Sequence, residues 1–100
     1  MIDVLNSKRV LIDANTWFGI GLNSFNPNCV RHTLGILAEA SNHVAYRSHL
    51  MPYYDDIYCA LLNSCMESST FYAAVCLYNL RPDSIEAKVM YFKWVLIAYL

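Results

Sequence analysis

The chain has 100 residues, of which 57% are hydrophobic and 15% charged, with a formal net charge of -1. Ordinary soluble domains hold about 45–50% apolar and about 25% charged residues, so one generous core is expected over residues 1–100, with apolar surface left over and no length for a second domain. The seven basic residues, Lys8, Arg9, Arg31, Arg47, Arg81, Lys88 and Lys93, are scattered, which argues against a nucleic-acid partner, and the longest apolar run, Trp94 to Leu100, is too short for a membrane span of roughly 17–25 residues.

The opening Met1-Ile2-Asp3-Val4-Leu5-Asn6 lacks the basic-then-apolar pattern of a secretory leader, and no N-x-[ST] glycosylation site occurs. An intracellular, reducing compartment is expected. The four cysteines, Cys29, Cys59, Cys65 and Cys76, lack the short paired spacings and the density of a disulfide scaffold. They are expected to be reduced and mostly buried.

Gly and Pro number three each, and punctuation falls at Asn26-Pro27-Asn28, at Pro52 and at Arg81-Pro82-Asp83. In chain order, Arg9-Val10-Leu11-Ile12 leans towards a strand. Asn28 to Ser41 reads as an amphipathic helix capped by Asn28, with Val30, Leu34, Leu37 and Ala38 inward and Arg31 and Glu39 outward. His43-Val44-Ala45-Tyr46 alternates weakly and leans towards a second strand. Pro52 suits the first turn of a helix whose apolar positions are Tyr54, Ile57, Tyr58, Leu61 and Leu62, with Asp55 and Asp56 at the positive end of its dipole. Phe71 to Leu80, with Ser68-Ser69-Thr70 as caps, suits a helix or a strand. A last helix runs from about Ser84, where Asp83 or Ser84 caps and Glu86 completes a capping box; Ile85, Val89, Phe92 and Leu96 recur at helical spacing and are expected to face inward. The architecture expected is mainly α, a small bundle of four or five helices with at most two short strands, the alternative being an α/β arrangement.

Beyond Lys93 the pattern is apolar all round. Trp94, Leu96, Ile97 and Tyr99 cover well over half the circumference of a helix, since successive residues turn by about 100°, so part of this stretch is expected to meet another helix of the domain or another chain. Eight Tyr, four Phe, two Trp and four Met add residues of the types enriched in interface centres. These features favour a non-enzymatic helical interaction domain that self-associates or binds a protein partner, with Trp94, Leu96, Ile97 and Tyr99 as its contact residues and no cofactor.

One motif points to another class. Val10-Leu11-Ile12-Asp13-Ala14-Asn15-Thr16-Trp17 delivers an acid from an apolar run and an amide two residues on. It resembles the opening motif of PIN-domain ribonucleases, and the resemblance extends through the helix Asn28 to Ser41, the candidate strand His43 to Ser48 and a helix carrying Asp55 and Asp56. It implies a PIN-like α/β fragment in which Asp13 and Asp55 or Asp56 hold Mg²⁺ or Mn²⁺ for RNA cleavage, oriented by Asn15. The family's later acidic motif does not occur within these 100 residues, and half the carboxylates cannot hold two cations for in-line hydrolysis. The commoner use of Asp13 and Asn15 is as turn or cap residues.

Cys29-x-x-His32 has metal-ligand spacing, yet the interval from Cys59 to Cys65 is too wide for a zinc knuckle, and no metal site is expected. His43 and His49 read as groups at element ends, and Cys29 and Ser48 lack an evident base for nucleophilic chemistry. No G-x-S-x-G, P-loop or dinucleotide fingerprint is present. The tyrosine motifs Tyr54-Asp55-Asp56-Ile57 and Tyr58-Cys59-Ala60-Leu61 read as core, since docking motifs of this kind act in extended segments.

Overall fold

A computed structural model describes residues 18–96. The strand expected at Arg9 to Ile12, the pair Asp13 and Asn15, and Ile97 and Tyr99 lie outside the described residues. A helical stretch at 18–22 leads into α1 (Pro27–Ser41), α2 (Val44–Leu50), a 3-10 turn (Met51–Tyr53), α3 (Tyr54–Asn63), α4 (Glu67–Leu80) and α5 (Ile85–Tyr91), which continues into a π-helical turn (Phe92–Leu96). The described residues are mainly helical and include no strand.

Helix α1 starts where Asn26, not Asn28, takes the cap position: its extended backbone lets Oδ1 accept from the Asn28 N–H at 2.9 Å, and Pro27 fills the first helical position, where no N–H is needed. The inward face is as the periodicity predicts, with Leu34, Leu37 and Ala38 buried. The strand expected over His43 to Tyr46 is helical instead. His43 is the extended N-cap residue of α2 and Val44, Ala45 and Tyr46 form its first turn, mostly exposed. Four weakly alternating residues with no partner strand among the described residues gain nothing there from extension, whereas a helix satisfies their backbone groups locally.

Helix α3 carries Asp55 and Asp56 in its first turn, both exposed, and buries Tyr54, Ile57 and Leu61; Leu62, expected inward, is exposed. Helix α4 begins one turn earlier than its sequence caps suggest, after Met66. Ser69 and Thr70 are buried within it, and the Thr70 Oγ1 donates to the Met66 carbonyl at 3.1 Å. This helix is the centre of the fold. It packs on α1, α3, α5 and the π turn, most extensively on α1, and buries Ala73, Ala74, Cys76, Leu77 and Leu80. The short 18–22 stretch joins the core through Phe18 and Leu22. It approaches α1 so closely at Gly21 that a Cβ there would collide with the Thr33 side chain.

The end of α1 is tied to its neighbours by polar groups. The fully buried Ser41 donates through Oγ to the Ala38 carbonyl at 2.7 Å and accepts from Asn79 Nδ2 at 3.0 Å. The same amide nitrogen donates to Asn42 Oδ1 at 2.9 Å, and Arg47 Nε donates to the Ser41 carbonyl at 2.8 Å. A buried hydroxyl left without partners would be costly, so this knot fixes the register of α1 on α4.

Candidate interaction surface

Ser84 has an extended backbone, and its hydroxyl accepts from the Ala87 N–H at 3.3 Å, so α5 is capped by Ser84 rather than Asp83. From that start two apolar lines run along the helix. One consists of Ala87, Met90, Tyr91, Trp94 and Val95 and faces the core: Ala87 and Val95 are buried and the other three pack partly buried against it. Ala87 lets the backbones approach, and Tyr91 stacks on Tyr78 of α4 with ring centroids 4.3 Å apart. The second line is Ile85, Val89, Phe92 and Leu96, which the periodicity assigned to the interior. It faces outward instead, with the four residues 78%, 55%, 55% and 38% exposed. The inner line wins because its small and flat side chains fit the surface of α4, whereas both lines share the helical period and the period alone does not say which is inward.

No other helix among the described residues presents four large apolar side chains to the outside; α1 exposes Ile36, α2 Val44 and Tyr46, and α3 Leu62. The α5 line is bordered by charge. Glu86 and Lys93 are exposed on one flank, seven residues or close to two turns apart, and Lys88 is exposed on the other. The Lys93 Nζ lies over the Trp94 ring, 5.1 Å from its centroid. Of the contact residues predicted from sequence, Trp94 is half-buried against the core and Leu96 ends the exposed line. Ile85, Val89 and Phe92, which the periodicity assigned to the core, are exposed beside Leu96 instead.

The other sequence candidates are dispersed. Asp56 borders a cleft of about 510 Å³ with Cys59, Cys65 and Met66, while Asp55 is exposed in the same helical turn. A broader cleft of about 660 Å³ is lined by Arg31, His32, Glu39, His43, Tyr46 and Tyr72. There the Nε of Arg31, a residue expected on the outer face, is buried without a hydrogen-bond partner among the described residues. His43 also meets Tyr46 edge-on at 5.9 Å. Among the described residues no three of His, Cys, Asp and Glu converge closely enough to hold a metal ion. The expectation of mostly buried thiols is corrected: Cys29, Cys59 and Cys65 are exposed and only Cys76 is buried. Burial pushes the Cys76 thiol up to about 12, against the opposing effect of a hydrogen bond with Ser41. Three of the thiols sit at helix ends or on outward faces, positions that their apolar character did not reveal.

A mainly helical fold with a solvent-facing apolar helix edge among the described residues defines a class of architecture and no particular activity. No helix among the described residues is long and apolar enough to cross a membrane. The chain matches no protein-family model, no curated protein and no solved structure.

Proposed function

We propose that the protein is a non-enzymatic helical interaction domain that docks on protein through the outward line of α5 and its π turn. The observation that carries this reading is the exposure of Ile85, Val89, Phe92 and Leu96 along a single helix that already has a separate apolar line buried in the core. Leaving four large apolar side chains in water forfeits roughly 1.5–3 kcal/mol for each one fully buried elsewhere, and contiguous apolar patches of this kind mark interaction sites. Trp94 belongs to the inner line, partly buried against the core, and Ile97 and Tyr99 follow Leu96 in the sequence.

An apolar-surface dye tests the reading. The dye is expected to bind the wild-type chain, or to be excluded from it by a bound protein, and Val89→Asp with Phe92→Asp is expected to remove the site in either case while helical content is unchanged. Binding that persists undiminished in the double variant sinks the proposal. The ribonuclease alternative rests on the Asp13 motif and requires Asp13 to stand beside Asp55 or Asp56. A Mg²⁺ or Mn²⁺ titration coupled to RNA cleavage separates the two, since an interaction domain shows neither saturation nor product.

A further inference from the structure

We infer that the partner seated on this line is a second copy of the same chain, packed antiparallel along α5, a step that rests on the docking role proposed above. The first argument is spacing. Ile85, Val89, Phe92 and Leu96 follow one another at steps of four, three and four residues, an order that reads the same in both directions. Two such helices related by a two-fold axis opposite the Met90–Tyr91 peptide bring Ile85 of one copy to Leu96 of the other, and Val89 to Phe92. A two-fold interface uses the same patch on both subunits and therefore requires it to be self-complementary. A line with uneven sequence spacing would leave gaps in that arrangement.

The second argument is charge. Glu86 and Lys93 lie on the same flank of the line, near its opposite ends. Antiparallel pairing keeps each flank facing its own counterpart and reverses its direction, so Glu86 of each copy comes within a helical turn of Lys93 of the other. Two opposite-charge pairs then close one edge of the interface. Parallel pairing about a two-fold along the helix axes turns the Glu86–Lys93 flank of one copy towards the Lys88 flank of the other, so Glu86 meets Lys88 and Lys93 has no acidic counterpart. On the other flank Lys88 meets no like charge in the antiparallel pair, because its height there corresponds to the stretch around Tyr91 and Val95 of the second copy. The line is at most about 16 Å long, the length eleven residue steps would have at the α-helical 1.5 Å per residue, which the π turn shortens. That is short for a permanent dimer, so the association is concentration-dependent and belongs with small, transient interfaces.

The test is molar mass by light scattering across a wide range of protein concentration, with helical content followed in each variant. The wild-type chain is expected to rise from 11.5 kDa towards twice that mass. Val89→Asp is expected to weaken association about a hundredfold, since it sets a carboxylate in the centre of the apolar contact. Glu86→Lys and Lys93→Glu each place like charges at both symmetric pairs, and each alone is expected to weaken it roughly fivefold. Mixing these two single variants is expected to restore dimer as the hetero-pair, because every contact between them is again opposite in sign. Restoration on mixing is the signature of the antiparallel register. Singles that weaken association without recovery on mixing overturn that register, and a dimer indifferent to Val89→Asp overturns the surface. A wild-type monomer at every concentration whose dye binding is lost in Val89→Asp overturns the second copy and leaves the docking role standing; a monomer whose dye binding ignores Val89→Asp overturns both.

Discussion

Helices α4 and α5 are both rich in apolar residues, and they stand at opposite ends of what a helix can do with them. Helix α4 is enclosed by α1, α3, α5 and the π turn, and it accommodates even Ser69 and Thr70 below the surface. Helix α5 rests on α4 along one line only and turns an equally apolar line to the outside. A helix surrounded on all sides needs no preferred face, and its sequence accordingly shows no clear period. A helix at the edge of a bundle needs one apolar face for stability, and the second, exposed face of α5 adds nothing to the packing of the described helices.

That contrast predicts unequal responses to substitution. The largest effect is expected at Leu77, fully buried in α4: Leu77→Ala removes packing and leaves a cavity, lowering stability by about 2–5 kcal/mol in urea unfolding. An undiminished midpoint would mean that α4 is not the central helix.

Cys76 on the same helix yields a pH dependence. Its folded thiol stays protonated up to about 12, above the ordinary 9.0, so the folded state holds a proton that the unfolded chain releases first. The resulting stability is fully present below pH 9 and declines as pH rises from 9 towards 12. Cys76→Ala is expected to flatten that alkaline decline, and in native protein Cys29, Cys59 and Cys65 are expected to react rapidly with a thiol reagent while Cys76 reacts only on unfolding. Four equally fast thiols would contradict the burial of Cys76.

A smaller effect is expected at the start of α5. Ser84→Ala removes the cap on the Ala87 N–H and is expected to cost about 1 kcal/mol, read as a lower unfolding midpoint with the fold retained. The smallest belongs to the outward line, where Val89→Asp is expected to change the stability of the isolated chain by no more than about 0.5 kcal/mol. A loss as large as that of Leu77→Ala would show that Val89 is core and would remove the distinction between the two lines.

Much of the helical pattern is legible in the residues themselves. The helix boundary at Asn26-Pro27-Asn28, the Ser84 cap offered beside Asp83, the inward face of α1 and the acidic first turn of α3 each follow from local chemistry: a missing N–H, a hydroxyl within reach of a free amide, a period of 3.6, a dipole end. The cap of α1 nevertheless falls on Asn26 instead of Asn28, and Pro52 sits in the 3-10 turn ahead of α3. The local pattern does not resolve α4 as helix or strand, because an enclosed element carries no polar line to reveal its period, and it misassigns His43 to Tyr46 because four residues are too few to distinguish two conformations. The candidate surface was legible only as a surplus. Composition and the run after Lys93 foretold apolar residues beyond the needs of the core, but they placed the contact on Trp94, Leu96, Ile97 and Tyr99 and assigned Ile85, Val89 and Phe92 to the interior.

What the sequence determined by itself is therefore the location of most helices, through interactions between residues at most four positions apart. What only the tertiary structure decided is which of two apolar lines on α5 meets the core. That choice depends on the shape of α4 opposite it, where Tyr78 accepts the flat face of Tyr91 and the small Ala87 permits close approach, and no feature within α5 records the surface it is to meet.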